Sequence, residues 1–162
     1  MRVATWNLAR CSPENKTRSR RLLEFIRTID ADVWIFTEAY QSFCPGEEFQ
    51  LISNSNAALD RDAHRGEYWV AIWSRLAAKE IALTADLERT AAIRIADVSI
   101  VGTVLPWLSD CRTGVSGSKA FCEQLELQKS DWIRLSQESK GLCVAGDFNQ
   151  DLLIQGDRKS VV

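Results

Sequence analysis

Three apolar segments of this sequence each end in polar side chains that could bind a metal ion and act on a phosphate group. Asn7 follows an apolar run near the start of the chain, Glu38 follows Val-Trp-Ile-Phe-Thr, and Asp147 and Asn149 follow Leu-Cys-Val-Ala-Gly. Ligands of open α/β sheets bind outside the carboxyl ends of the strands. If these segments are neighbouring strands, their ends bring two carboxylates and two carboxamides to one edge.

Oxygen ligands of this kind suit a hard cation such as Mg²⁺, which takes one or two protein carboxylates and fills other positions with water and substrate phosphate. Glu38 would bind the ion, and Asn7 would join it or orient the phosphate. Asp147 would position or polarise an attacking water. Asn149 would donate a hydrogen bond to a phosphoryl oxygen as charge develops there. Gly146 would let the backbone approach the substrate closely.

Each of these residues also has an explanation that involves no chemistry. Asn at the end of a strand often caps a turn, and a Glu after a buried strand is often only solvated. Asp-x-Asn after a Gly is a common turn composition. The three sites together, in this order and each at a strand end, favour a shared function over three coincidences.

The elements that must position these residues follow from the hydrophobic pattern. Strands are predicted at residues 2–8, 33–36, 68–73, 79–84, 93–95, 98–104 and 142–145. One helix is predicted around residues 22–29, and a second over about 119–137, with Phe121, Leu125, Trp132 and Leu135 on its buried side. Residues 40–66 are polar and are predicted to be irregular. The mixture predicts a single α/β domain over residues 1–162.

The charge of the chain excludes a strongly cationic nucleic-acid-binding module. The 162 residues carry a formal net charge of −2, and the pI is about 5.5. One local basic cluster is present, formed by Lys16, Arg18, Arg20, Arg21 and Arg27. It could contact a polyanion or form a solvated helix face.

The cysteine pattern and the apolar runs predict a cytoplasmic protein without a membrane partner. Five cysteines without a C-x-x-C pair indicate neither a disulfide framework nor a zinc knuckle, which favours a reducing compartment. No apolar run approaches the roughly 20 residues that span a bilayer. The amino-terminal apolar run is too short for a signal peptide.

Four segments resemble motifs of the endonuclease/exonuclease/phosphatase family, which includes DNase I-like nucleases and inositol polyphosphate phosphatases. They are Arg-Val-Ala-Thr-Trp-Asn-Leu at residues 2–8, Ala-Asp-Val-Trp-Ile-Phe-Thr-Glu at 31–38, Ala-Ile-Trp-Ser-Arg at 71–75 and Gly-Asp-Phe-Asn at 146–149. Their order and approximate spacing match the family, and Gly-Asp-Phe-Asn is the most specific of them.

The resemblance implies a DNase I-like two-sheet α/β sandwich that hydrolyses a phosphate ester, with DNA among the substrates. It also implies a divalent metal, usually Mg²⁺ and alternatively Mn²⁺, bound by Glu38. Arg75, at the end of the third segment, is a further candidate for substrate binding. The family commonly has a phosphate-contacting His or Tyr where this chain has Val104 or Trp107. Trp107 could stack on a base or pack as a core residue at a strand end.

The resemblance further implies an Asp-His pair near the C-terminus, in which the His contacts the scissile phosphate. This chain ends thirteen residues after Asn149, and its single histidine, His64, lies in the middle region. We therefore expect a sandwich that is incomplete at its C-terminus, with weak or no activity. Its exposed apolar surface could bind a second copy of the chain or another chain that completes the fold.

The sequence leaves two functions open. The first is a metal-dependent phosphoesterase of the nuclease or phosphatase type, in which Mg²⁺ assists the attack of water. The alternative is a non-catalytic interaction protein or fragment on the same fold, which the missing Asp-His pair favours. A third interpretation, an unrelated α/β domain that shares these short segments by chance, requires Asn7, Glu38 and Asp147 to lie far apart.

Overall fold

The computed structural model describes residues 1–12, 14–55, 66–107 and 117–149. Within these ranges the chain forms eight strands and two helices. In chain order they are β1 (Val3–Asn7), α1 (Lys16–Ile26), β2 (Val33–Tyr40), β3 (Gln50–Asn54), β4 (Glu67–Ser74), β5 (Lys79–Glu80), β6 (Thr90–Ile95), β7 (Val98–Val104), α2 (Gly117–Glu138) and β8 (Gly141–Asp147).

The strands form two four-stranded sheets, which confirms the predicted two-sheet α/β architecture. The first sheet has the order β1-β2-β4-β3, and the second has the order β5-β6-β7-β8. β1 runs parallel to β2, and β8 runs parallel to β7, whereas the other pairs are antiparallel. The described strands therefore place β1 and β8 on the outside of their sheets.

The two sheets pack face to face and each is covered by one helix. Side chains of β2 alternate between faces, as in any strand. Val33 and Ile35 pack in the core between the sheets, whereas Trp34 and Phe36 pack in the core beneath α1. On the other side, Leu135 of α2 packs against the outer face of the second sheet. The layers are therefore helix, sheet, sheet and helix.

Gly102 of β7 lies close against the first sheet, where a side chain would not fit. A Cβ atom at this position would lie 2.5 Å from Cγ1 of Val70 and 2.9 Å from Cγ2 of Ile35. Real Cβ contacts are not that short, so a larger residue would force β7 away from β2 and β4. The spacing of the sheets depends on this missing side chain.

Three predicted boundaries are corrected by the structure. Residues 50–54 form β3, although the whole stretch 40–66 was expected to be irregular. The strand expected over residues 79–84 is limited to Lys79–Glu80. Ile29 lies beyond the end of α1 and is 36% exposed, because the chain already turns after Ile26. Residues 56–65 lie outside the described ranges.

The buried face of α2 is more polar than predicted. The prediction holds for Leu135, which is buried, and for Trp132, which is partly buried and packs against the same cluster. Phe121 and Leu125 are also only partly buried, and polar residues fill the rest of the buried face. The buried residues are Ala120, Gln124, Gln128, Asp131 and Leu135. They recur every three or four positions, as one helix face requires.

The polar residues on the buried face of α2 form hydrogen bonds with the loop that precedes β6. Gln124 and Gln128 both donate to Oδ2 of Asp86, which is itself buried. Asp131 accepts hydrogen bonds from the backbone N–H groups of Thr84 and Ala85, both at 2.9 Å. Buried polar groups are stable when they are paired in this way, so α2 is fastened to the sheet by hydrogen bonds as well as by apolar packing.

The described residues include four of the five cysteines. Cys11, Cys44, Cys122 and Cys143 are free. No helix among the described residues is both long enough and apolar enough to cross a membrane.

Candidate active site at the meeting of two strand ends

Asn7, Glu38 and Asp147 meet in one place. The Asn7 Nδ2 group donates hydrogen bonds to Oε1 of Glu38 at 3.2 Å and to Oδ2 of Asp147 at 2.7 Å. The convergence predicted from the strand ends is therefore confirmed, and the three residues are not far apart as an unrelated domain would require. Their chemical roles stay predictions.

Strand register explains why these residues meet. β1 and β2 are parallel, and Asn7 lies opposite Thr37, so the end of β1 stands beside Glu38. β8 approaches from the second sheet, where Asp147 lies opposite Val104 of β7. The carboxamide of Asn7 thus connects the two sheets at their edge.

The orientation of Asn7 is fixed by its own turn. Its Oδ1 atom accepts a hydrogen bond from the backbone N–H of Ala9 at 2.7 Å. The oxygen is thereby turned away from the two carboxylates, and the amino group faces them. This arrangement neutralises part of the repulsion between Glu38 and Asp147, because an amide N–H is a donor to both.

Glu38 has an unusual backbone conformation for a residue within a strand. Its φ is 49°, while β2 pairs with β4 on either side of it, at Thr37 with Val70 and at Ala39 with Tyr68. A non-glycine residue in this region costs about 1–3 kcal/mol and is found mainly at functional sites. The conformation interrupts the alternation of side chains along β2 at the residue predicted to bind the metal.

The second oxygen of Glu38 faces Arg10. The Nε atom of Arg10 lies 3.8 Å from Oε2 of Glu38 and 3.2 Å from Oε1 of Glu67, a fully buried carboxylate at the start of β4. Burial first, and then the negative charge of Glu67, raise the pKa of the nearby Tyr40 hydroxyl. No sequence pattern predicts this ion pair, because Arg10 and Glu67 are far apart along the chain.

A compact turn holds Asp147 and Asn149 at the end of β8. Oδ1 of Asp147 accepts from the backbone N–H of Asn149 at 3.0 Å. Nδ2 of Asn149 donates to the carbonyl of Leu105 at 2.7 Å, and the N–H of Leu105 donates to the carbonyl of Asp147 at 2.9 Å. One hydrogen of the Asn149 amide is therefore used internally, and its second hydrogen can serve another acceptor.

Gly146 is required by the neighbouring strand, and the close approach to a substrate expected from the sequence stays a prediction. Its φ is 146°, and a Cβ atom would lie 2.0 Å from the carbonyl oxygen of Thr103 on β7. No other residue fits there without moving β8. Gly146 therefore determines how closely Asp147 is held to β7.

Trp107 lies just after the segment that anchors Asp147, and stacking of its ring on a base stays a prediction. Its side chain is 37% exposed. Its ring centroid is 6.0 Å from that of the buried Trp69, and the guanidinium carbon of Arg89 lies 5.8 Å from it. The ring thus rests partly on the core and is partly accessible.

Arg75 lies at the opposite end of β2 and β4, and is not part of this site. Its guanidinium donates to Oδ1 of Asp32 at 2.7 Å and to Oδ1 of Asp30 at 2.6 Å. The backbone N–H of Arg2, and then Arg75, lower the pKa of Asp32. The expectation of substrate binding by Arg75 is corrected to an ion pair that joins two loops. His64 lies outside the described residues.

The donor set fits a magnesium ion better than a zinc ion. The described residues contain no group of three or more His, Cys, Asp and Glu side chains that could hold a metal. They do place two carboxylates and one carboxamide together. Mg²⁺ commonly takes one or two carboxylates and completes its shell with water and phosphate oxygens, whereas Zn²⁺ takes nitrogen and sulfur ligands.

Sequence comparison relates this chain to one protein family. Residues 4–156 match the family model described as "Endonuclease/Exonuclease/phosphatase family". No curated protein matches the sequence.

Several solved structures have a similar fold. The 3′ phosphatase NExo from Neisseria, bound to a product DNA hairpin, has a TM-score of 0.65 at 14% identity, over 99% of this chain and 63% of that one. The mannosyl-6-phosphatase Bt3783 of Bacteroides thetaiotaomicron has a TM-score of 0.62 at 16% identity, and the match covers 96% of this chain and 67% of that one. D. rerio TDP2 in complex with a single-strand DNA product has a TM-score of 0.61 at 15% identity, and the match covers 99% of this chain and 63% of that one. The chain therefore spans less than two thirds of the NExo and TDP2 structures.

Proposed function

Because the chain belongs to the endonuclease/exonuclease/phosphatase family, we propose that it is a metal-dependent phosphoesterase that hydrolyses a phosphate ester by attack of water. The observation that carries this proposal is the carboxamide of Asn7, held between the carboxylates of Glu38 and Asp147. Two carboxylates kept this close at the edge of the sheets repel each other, and a cation bound between them would offset that repulsion.

Each residue of the site has a proposed role. Glu38, with Asn7 beside it, would bind Mg²⁺ or Mn²⁺, which when bound supplies positive charge to the phosphoryl oxygens. Asp147 would orient the attacking water and accept its proton. Asn149 would donate its second amide hydrogen to a phosphoryl oxygen.

The substrate class we propose is a phosphate ester, with DNA as the first candidate. Trp107 follows by two residues the Leu105 that is hydrogen-bonded to Asp147 and Asn149, and its ring is partly exposed. Such rings stack on bases. The Nη2 group of Arg18, from the basic cluster on α1, donates to the carbonyl of Leu8 at 3.3 Å, next to Asn7. A basic helix end beside the site supports contact with a phosphate backbone, and the DNA bound to NExo and TDP2 supports the same proposal.

A protein partner is proposed for the side of the sandwich that carries β1 and β8. Both are outer strands of the described sheets, and an outer strand offers backbone N–H and C=O groups to another chain. The partner would be a second copy of this chain or another chain that completes the sheets. A cytoplasmic location remains a prediction from the sequence.

The test is hydrolysis of a generic phosphodiester and of an abasic DNA duplex over a range of Mg²⁺ concentrations. We expect Glu38→Gln and Asp147→Asn each to lower the rate by at least about 10²-fold, with unchanged circular dichroism. Glu126→Gln is the matched control, because Glu126 lies on the exposed face of α2, where it pairs with Lys129.

Full activity in either site variant would exclude this mechanism. The alternative, a non-catalytic interaction protein, predicts no turnover by the wild type at any metal concentration. It also predicts that ligand binding survives in Asp147→Asn.

A further inference from the structure

Arg10 lies three residues after Asn7, on a turn that returns to Glu38. Ala9 and Arg10 both have positive φ values, of 45° and 52°, which few non-glycine residues adopt. Hydrogen bonds fix the turn at both residues. The N–H of Ala9 donates to Oδ1 of Asn7, and the N–H of Arg10 donates to the carbonyl of Glu38 at 3.0 Å. Strain of this kind persists where the surroundings impose it, and it is common at ligand-binding sites.

The guanidinium of Arg10 is held from one side. Its contacts with Glu67, at 3.2 Å, and with Glu38, at 3.8 Å, both use Nε. Neither terminal amino group has a hydrogen-bond partner within the described ranges. The Glu67 carboxylate is fully buried, whereas the Arg10 side chain is 39% exposed. The buried Glu67 therefore anchors the guanidinium through Nε, and part of the Arg10 side chain stays exposed beside the candidate metal ligand.

The negative charge of the site explains why a cationic side chain such as Arg10 would help to bind a phosphate. Glu38 and Asp147 are both negative, and a phosphate that approaches them is repelled. A bound metal ion would offset part of this charge. An arginine fork can donate two parallel hydrogen bonds to phosphate oxygens, which a point charge cannot do.

We propose that Arg10 binds a non-bridging oxygen of the substrate phosphate, and that the buried Glu67 positions it for this contact. The proposal rests on the proposed function, since it assigns a phosphate-binding residue to the same site. Arg10 would be a substrate-binding residue, and Glu67, which cannot reach the phosphate itself, would be a positioning residue.

The experiment is a calorimetric titration of the full chain with inorganic phosphate at a fixed concentration of MgCl₂. A small probe excludes contacts that a long DNA would make with α1. We expect Arg10→Ala to weaken phosphate binding by about ten- to a hundredfold, as the loss of a charge-assisted hydrogen bond predicts. Arg10→Lys should recover part of this loss. Arg2→Ala is the matched control, because the Arg2 side chain is exposed and pairs with Asp30 at the opposite end of β1 from Asn7, and it should bind phosphate like the wild type.

The role of Glu67 is tested by combining variants. Glu67→Gln should weaken phosphate binding severalfold in the wild-type background. The same substitution should have no further effect when Arg10 is replaced, because residues that act as a unit are not additive. The double variant Arg10→Met with Glu67→Gln removes both charges, so it tests phosphate binding without leaving a buried carboxylate that has lost the charge of Arg10.

The outcomes separate this proposal from the proposed function. Unchanged phosphate affinity in Arg10→Ala would overturn the role of Arg10, whether or not the wild type hydrolyses esters. Phosphate binding that depends on Arg10, in a wild type that hydrolyses nothing, would support this proposal and contradict the other. A wild type that binds no phosphate would overturn the role of Arg10.

Discussion

At the scale of single residues, the site depends on groups that neutralise or restrain charge. One amide separates the Glu38 and Asp147 carboxylates, and its direction is set by the Ala9 N–H. Removing or charging that amide should therefore affect stability as well as chemistry. The same reasoning applies to Gly146, whose lack of a side chain fixes the position of Asp147 against β7.

Asn7→Asp should destabilise the protein, and Mg²⁺ should reverse much of the effect. The variant places a third carboxylate between two others, and close like charges disfavour the folded state. A cation that binds only the folded protein stabilises it by mass action. The measurement is the thermal unfolding midpoint with and without MgCl₂. A rise no larger than that of the wild type would contradict a metal site at these residues.

Gly146→Ala should lower the free energy of unfolding by about 1–3 kcal/mol, the cost of strain at a disallowed backbone conformation. The new Cβ atom would collide with the carbonyl of Thr103. Gly141→Ala is the control, since its Cβ would make only ordinary contact with Val98 at 3.7 Å. Urea denaturation of both variants provides the comparison, and equal stabilities would refute the explanation.

At the scale of elements, α2 shows why the sequence predicts some features and not others. Apolar runs that end in polar residues predicted the convergence of Asn7, Glu38 and Asp147. By contrast, the buried Gln124 and Gln128 resemble a solvated helix face, because their partner Asp86 lies in a distant loop. β3 was missed because its Gln, Ser and Asn residues are typical of loops, and its pairing with β4 supplies the stability that its composition lacks.

Asp131 of α2 should make stability depend on pH in the acidic range. Desolvation by burial raises its pKa, but hydrogen bonds from Arg134, Thr84 and Ala85 outweigh burial and lower the pKa overall. A carboxyl whose pKa is lowered in the folded state stabilises it above the unfolded pKa of about 3.9. That contribution is lost as the pH falls through the folded value.

Asp131→Asn should therefore lower the free energy of unfolding at pH 7 by about 1.5–3 kcal/mol, the contribution of hydrogen bonds to a charged group. The difference from the wild type should shrink when the pH is taken from 5 to 2. Asp97→Asn is the control, because Asp97 forms an exposed pair with Lys140. Urea denaturation at several pH values is the measurement, and a difference independent of pH would contradict the assignment.

At the scale of the whole molecule, both sheets must be in place before the site exists. The first sheet supplies Asn7 and Glu38, and the second supplies Asp147. Gly102, which allows the sheets to approach, therefore controls a distance between residues that it does not touch. The outer strands β1 and β8 lie on the same side of the sandwich as this junction.

If a second copy pairs along β1 and β8, light scattering should give twice the mass of the 18.3 kDa chain. Cys143 of β8 packs between the sheets, so replacing it would change the stability of the fold as well as any pairing between chains. Val144→Lys is also unsuitable, because Val144 packs under α2. Dilution of the wild type is the cleaner test. A mass of one chain at every concentration would contradict pairing of a second copy along β1 and β8.

The separation of Asn7 and Asp147 along the chain also has a consequence for protein synthesis. The two residues are 140 positions apart, and a ribosome releases the amino-terminal part of a chain first. A nascent chain that has exposed everything through β7 carries Glu38 without Asp147. The pair of carboxylates cannot assemble until β8 has left the ribosome, so Asn7 and Glu38 wait for almost all of the described chain to be synthesised before Asp147 joins them.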